Sequence, residues 1–348
     1  MIEFPTDYAY LYGQPDGRAT IRSCNEDFKV VERLGFEPEG EGEHLFLYIR
    51  KTGENTDWVA RLLAEYCQLN PRDVGYAGKK DRHAVTEQWF SVAVPPQRVI
   101  DWTQFGGESI EVLRTVRHPR KLRVGSLKGN RFGLRLREVS DPQELAARIE
   151  LVRAGVPNYF GEQRFGIGGG NLQKGVELLR GERKERQRNK KSMYLSAVRS
   201  WCFNHQLSRR IESGHWHKLM PGDALMLDGS HSCFVTEEAD EQIQSRLQEG
   251  DVHLTAAMWG RGEPVATGQA RDWEKAQLAP WAEILERLEH IGLRQERRAM
   301  RLIPAAFEAR MESEHQWWLE FDLPSGAFAT SVLRELAQVG AQARGSSE

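Results

Sequence analysis

The chain has 348 residues, 40% of them hydrophobic and 28% charged, with a formal net charge of -2. That length suits two domains with a sizeable core, and the near-neutral charge excludes a whole-molecule basic field, so a nucleic-acid reading has to rest on local patches. Cys24, Cys67, Cys202 and Cys233 form no Cys-x-x-Cys pair, no signal-peptide pattern opens the chain and no apolar run reaches membrane-spanning length; together these argue against a zinc ribbon, a disulfide scaffold or a membrane span and for the reducing cytoplasm.

Residues 1–57 are acidic and carry strand signals at Phe28-Lys29-Val30-Val31-Glu32 and from Glu43 to Arg50. Glu37, Glu39, Glu41 and Glu43 punctuate the loop between them, a solvated turn and a poor place for an RNA backbone. Asn55-Thr56-Asp57 supplies capping chemistry for a helix over 57–67, with Trp58, Val59, Leu62, Leu63 and Tyr66 on one face, and Asn70-Pro71 ends it. Next comes Gly75-Tyr76-Ala77-Gly78-Lys79-Lys80-Asp81-Arg82-His83-Ala84-Val85-Thr86. Two glycines open a turn, and one acid, Asp81, sits among cations ahead of a strand over 85–94. A carboxylate in that setting suits a nucleophile or a base; taken alone, the pattern fits a solvated loop acid better.

Between residues 114 and 137 nine cations occur with no acid: Arg114, Arg117, Arg120, Lys121, Arg123, Lys128, Arg131, Arg135 and Arg137. Leu134 and Leu136 alternate with arginines, which predicts a strand with one apolar and one basic face. An acid-free basic segment in a near-neutral protein points to an anionic polymer, the alternative being a strand with a solvated face. Within it, Asn130 and Phe132 lie on a glycine-flanked turn. An amide can bond a base edge and a phenyl ring can stack on a base, yet a hairpin with a core phenylalanine explains the pattern equally well.

Ser140-Asp141-Pro142 starts a helix that runs to Ala154, with Gly155 just past its end. Glycines 166, 168, 169 and 170 form a turn before a helix over 171–180; they lack the Lys-Ser/Thr ending of a P-loop. A second basic run spans 180–191. A long helix over 192–213, strands at 223–228 and 231–236, a helix at 237–249, a strand at 252–258 and helix over 270–297 follow. Strands resume at 305–311 and 315–321, a turn at 323–331 leads into a closing helix to Leu336, and the tail after Gly340 reads as frayed. Strands at both ends around a helical middle predict one sheet domain built from both termini and carrying an insertion. His215, His217, His231 and Cys233 could ligate a metal, but their spacing matches no established zinc pattern. His83 beside Asp81 reads as a surface or supporting histidine rather than a base.

Four stretches, Gly78–Trp89, Lys128–Arg137, Val156–Asn171 (Pro-Asn-Tyr-Phe-Gly-x-Gln-Arg-Phe-Gly) and Ser325–Glu335 (Gly-x-Phe-Ala-Thr-Ser-x-x-Arg-Glu), closely resemble, in order, the motifs of the TruD family of tRNA pseudouridine synthases. The resemblance covers essentially the whole chain. It implies an α+β fold: a catalytic domain around a mostly antiparallel sheet, mapped to 1–155 and 305–348, and an inserted α/β domain at 156–304. It implies isomerisation of uridine-13 in the tRNA D arm, with tRNA as partner and without cofactor, metal or ATP; the chain is read as a monomer. By the same resemblance Asp81 is the catalytic carboxylate, and Phe28, Asn130, Phe132 and Phe328 contact the substrate, Phe132 stacking on the flipped uracil. Arg22 stands where the family pattern has lysine and is a possible charge partner of Asp81. Arg120, Lys121 and Arg123 are the expected RNA-backbone cations, and Lys79, Lys80, Arg82 and His83 are expected to hold the loop or meet phosphates. Two other readings are a non-catalytic RNA-binding module and, from the histidines, a metal-dependent hydrolase.

Overall fold

The computed structural model describes residues 3–238 and 240–341. The rest of the stretch read as a frayed tail, beyond Ala341, lies outside them. Strands Arg18–Ile21 (β1), Phe28–Leu34 (β2) and His44–Thr52 (β3) lead into a helix, Thr56–Cys67 (α1). A short strand, Gly75–Tyr76 (β4), precedes Val85–Ala93 (β5), Ile110–His118 (β6) and Leu127–Leu136 (β7), and the helix Pro142–Arg153 (α2) follows. The chain then forms Val156–Pro157 (β8), Glu162–Phe165 (α3), Gly170–Arg180 (α4), Arg188–Glu212 (α5), Asp223–Leu227 (β9), Cys233–Thr236 (β10), Glu241–Glu249 (α6), Val252–Met258 (β11), Gly268–Leu278 (α7), Ala282–His290 (α8), Glu296–Ala299 (β12) and Arg301–Leu302 (β13). It closes with Ala305–Ser313 (β14), Gln316–Pro324 (β15), Ala329–Leu336 (α9) and Gln338–Ala341 (β16).

Two compact units result. One comprises the chain up to Gln14, Ala154–Ile303 and Thr330–Glu335; the other comprises Pro15–Arg153, Pro304–Ala329 and the chain from Leu336. The first is helical around a small antiparallel sheet, β10-β9-β11-β12. The 25-residue α5 runs through it with Trp201, Cys202, Phe203 and Leu207 fully buried. Arg210 on α5 is buried against Asp223 at 2.6 Å, and that carboxylate also accepts the backbone N–H of Met220. No helix among the described residues is long and apolar enough to cross a membrane.

The second unit is a mixed, mostly antiparallel sheet in the order β14-β15-β7-β2-β5-β3-β6. Only β2 and β5 run parallel in it, and only over Lys29–Val31 against Val85–Glu87. Beyond that point the two strands part and β4 takes up β5 at Gly75↔Ser91 and Tyr76↔Phe90. α1 caps one face: Val59, Leu63 and Cys67 lie fully buried against Leu47, Ile49, Phe90 and Val92. Burial of a side chain such as Leu63 stabilises by about 2 kcal/mol, which fixes α1, and therefore the loop after it, on the sheet.

Several expected boundaries change. The strand predicted by the Leu134 and Leu136 alternation is β7, but it begins earlier, at Leu127, so the glycine-flanked Asn130 and Phe132 lie inside it rather than on a turn; an eight-residue loop separates it from β6. The helix expected over 270–297 breaks at Ala279-Pro280, because proline has no N–H to donate and clashes with the preceding turn; residues 296–299 pair instead with β11. The parallel pairing of β1 with β16 had no sequence signal, since each strand is four residues long and they are more than 300 residues apart.

Candidate active site

Ladder register places a set of distant residues on one sheet face. Phe28, Val30 and Glu32 alternate along β2; Val30 pairs with Phe132 and Glu32 with Asn130 on β7. Val30 also pairs with Thr86 on β5, and Thr86 with Lys51 on β3. Phe321 on β15 pairs with Phe132. The two-residue period of a strand makes all of these neighbours on the same side. This face is apolar at its flanks and polar at its centre, where Lys51, Thr86, Gln88 and Glu32 are buried.

Asp81 sits at the edge of this face. The loop that carries it is tied down at its start: Gln88 Nε2 donates to the Gly78 carbonyl at 3.2 Å, the Lys80 N–H donates to Thr56 Oγ1 at 2.9 Å, and Thr56 Oγ1 donates to Gln88 Oε1 at 2.8 Å. Beneath it, Lys51 Nζ donates to the carbonyls of Glu54 at 2.7 Å and of Asp81 at 3.3 Å. Burial pushes the Lys51 ammonium down to about 8, although Asp81 opposes the shift.

Arg22 reaches Asp81 from a separate loop. Its Nη2 donates to Asp81 Oδ2 at 2.8 Å, with the two side chains 28% and 35% exposed. The same guanidinium lies 3.9 Å above the centre of the Phe28 ring. A planar guanidinium can stack by its face and donate by its edge at once, which a lysine ammonium in this position cannot do. Arg22 achieves this with φ at 58°, in the left-handed region where a side chain is strained. Among the described residues only Oδ2 of the Asp81 carboxylate is held by a side chain, and Oδ1 has no hydrogen-bond partner.

Phe28 and Phe132 are 3% and 8% exposed. They meet edge to face at 6.3 Å, and Phe132 stacks on Phe321 at 5.8 Å. In this arrangement little of the Phe132 ring is exposed. Phe328 is half-buried in the turn between β15 and α9. That turn is joined to the start of β7 by Pro324↔Gly129 pairing and by the Ser325 N–H to the Lys128 carbonyl at 3.0 Å, on the Asn130 side of the strand.

The cations of the Asp81 loop divide. Lys79 pairs with Asp57 at 2.6 Å, and Arg82 donates to the Gly53 carbonyl at 3.2 Å, both on the surface. Lys80 turns inward: its side chain is 5% exposed, and Nζ contacts Glu32 Oε2 at 2.8 Å and Asn130 Oδ1 at 2.7 Å. It therefore does not face phosphates. Glu32 fills the gap where β2 and β5 part and accepts the Trp89 N–H at 3.0 Å, a donor the parallel ladder would otherwise have taken. Burial pushes the Glu32 carboxyl up, and Lys80 and the Trp89 N–H offset part of that rise.

Sequence reading missed Glu32 and Lys51. A signal was present: Glu32 is in phase with Phe28 and Val30, and Lys51 with Leu47 and Ile49, so each is a charge at an inward strand position and needs a buried partner. The basic segment also reads differently in the fold. Arg131 pairs with Glu320 at 2.8 Å, Arg135 with Glu312 at 2.8 Å, and Arg137 with the fully buried Asp27 at 2.8 Å. The acids missing from the segment come from elsewhere in the sheet unit. Arg120, Lys121 and Arg123 lie in the β6–β7 loop, Arg120 and Arg123 exposed and Lys121 half-buried with its Nζ on the Arg72 carbonyl. Among the described residues, no three His, Cys, Asp or Glu side chains cluster closely enough to hold a metal, so His215, His217, His231 and Cys233 do not converge.

Comparison with known proteins adds an independent finding. The family model for tRNA pseudouridine synthase D (TruD) matches residues 7–186 and 183–336. The chain is 50% identical over 331 residues to the tRNA pseudouridine synthase D of Aeromonas salmonicida, covering 95% of this chain and 94% of that one. It is 48% identical over 338 residues to the protein of the same name from Methylococcus capsulatus, covering 97% and 96%. A solved structure from Methanosarcina mazei assigned to tRNA pseudouridine synthase D superposes with a TM-score of 0.70 at 23% identity, over 98% of this chain and 97% of that one; at that identity it speaks to the fold.

Proposed function

The chain belongs to the tRNA pseudouridine synthase D family and is a tRNA pseudouridine synthase; from that premise we propose that it isomerises uridine-13 of the tRNA D arm with Asp81 as the catalytic carboxylate. The observation that carries this reading is the position of Asp81: a carboxylate held by one oxygen to Arg22, with the other free of partners among the described residues, at the edge of a face that presents Phe28, Asn130 and Phe132. In the reaction the C1′–N1 bond breaks, the C1′–C5 bond forms, the C5 proton leaves and N1 gains one. Atoms and electrons balance without a co-reactant. Attack at C1′, addition at C6 and removal of the C2′ proton all call for a carboxylate beside ribose and base, and the free oxygen of Asp81 meets that requirement. The target must first leave its stack, at a cost of a few kcal/mol, and the Phe132 ring and the side chain of Phe328 are assigned as the surfaces it would meet. Arg120, Lys121 and Arg123 are assigned to the RNA backbone, and the enzyme is assigned as a cytoplasmic monomer.

The test is direct. Unmodified tRNA transcripts are incubated with the protein and pseudouridine is mapped chemically. Product at position 13 is expected with the wild type and none with Asp81→Asn, while tRNA binding persists in the variant. Turnover retained in Asp81→Asn, or product confined to another position, would refute the assignment.

A further inference from the structure

Asn130 lies directly opposite Glu32 across the β2–β7 ladder, and Lys80 bridges the two: Nζ is 2.8 Å from Glu32 Oε2 and 2.7 Å from Asn130 Oδ1. A lysine ammonium has donors and no acceptor, so the carboxamide can only present its oxygen to it. The orientation of the Asn130 amide is therefore set by chemistry, and its Nδ2 must point away from Lys80. Among the described residues no acceptor stands against that Nδ2. The ammonium in turn is held by a carboxylate with 0% side-chain exposure, whose other oxygen is fixed by the Trp89 N–H. Each member of the chain Trp89 N–H, Glu32, Lys80, Asn130 has its place decided by the one before it, and such chains strengthen the terminal donor by polarising it.

We propose that Lys80 is a positioning residue, which with Glu32 locks the Asn130 amide so that Nδ2 donates to a carbonyl of the reacting uracil and retains the base while it is detached. The inference rests on the uridine-isomerase reading above. The chemistry of the turn favours one fixed donor. To exchange N1 for C5, the free ring makes a half-turn about the line through N3 and C6, and that motion also exchanges the C2 carbonyl with the C4 carbonyl. A donor that holds one carbonyl before the turn therefore finds the other in the same place afterwards. As the bond to C1′ breaks, negative charge that collects on these oxygens meets a donor already aimed and backed by a cation.

A mutant cycle tests this with the full-length protein and tRNA transcript under single turnover. Lys80→Met is expected to slow isomerisation on the order of a hundredfold, the scale of a lost oriented donor, with tRNA affinity unchanged. It should cost little further in an Asn130→Ala background. The rate ratio between a uridine and a 4-thiouridine at the target, sulfur being the weaker acceptor, should shrink in Lys80→Met relative to wild type. If Lys80→Met fails to fold, Glu32→Gln/Lys80→Met removes both charges while keeping an acceptor for the Trp89 N–H, and it is read in the same way. Equal losses with and without the Asn130 side chain, an unchanged thio ratio, or a loss well beyond that of Asn130→Ala would overturn the inference alone. Absence of product with the wild-type protein would overturn the underlying reading and the inference with it.

Discussion

Replacement of Arg22 separates what that residue costs from what it does. Its ion pair with Asp81 is partly exposed, 28% and 35% for the two side chains, which limits it to about 1 kcal/mol. The stack on Phe28 at 3.9 Å adds about another 1 kcal/mol. Against these stands the left-handed backbone at φ 58°, which costs a residue with a Cβ about 1 kcal/mol and glycine almost nothing. Arg22→Ala gives up both interactions and keeps the strain, so it should destabilise by about 2 kcal/mol. Arg22→Gly gives up the same interactions and releases the strain, so it should be the more stable of the two by about 1 kcal/mol. Turnover should fall alike in both, because each removes the group that orients Asp81. Denaturant titrations monitored by tryptophan fluorescence and single-turnover pseudouridine formation supply the two readings. Arg22→Gly no more stable than Arg22→Ala would refute the strain argument, and full activity in either would refute the link from Arg22 to Asp81.

Asp27 should govern part of the acid stability. Burial alone would push its carboxyl up, but hydrogen bonds from Arg137, from Cys24 and from Arg135 outweigh burial and hold it at about 2, below the usual 3.8. A depressed carboxyl contributes stability that is present above pH 3.8 and lost as pH falls towards 2, here about 2 kcal/mol. Relative to Asp27→Asn, the wild type should lose that amount between about pH 4 and pH 2; parallel acid-unfolding curves would contradict it. For RNA binding, Arg120→Gln, Lys121→Gln and Arg123→Gln combined should weaken tRNA affinity and flatten its dependence on salt, by about one unit of slope for each phosphate no longer neutralised. An unchanged slope would place the RNA elsewhere.

Much of the fold was legible in the sequence because strand phase and capping chemistry are local. The alternation at Phe28–Glu32, the Asn55-Thr56-Asp57 start of α1 and the β-branched run after Asp81 all form the elements they predict, within a few residues. The four motifs likewise identified the family from residue order alone. Asp81, Phe28, Asn130, Phe132 and Phe328 were nameable through that resemblance, and Asp81 was visible besides as a lone acid among cations.

Which charges matter could not be read in one dimension. Lys79 and Lys80 are adjacent and alike in sequence, yet one is a surface cation on Asp57 and the other is buried between Glu32 and Asn130. The arginines of β7 looked free because their acids, Asp27, Glu312 and Glu320, lie more than 100 positions away in the chain. Local sequence sets periodicity and propensity, and through its motifs it singled out Asp81 as the candidate carboxylate. The burial of a charge and the partner that neutralises it depend on which strands become neighbours, and that is decided only when β2, β5 and β7 assemble into one sheet.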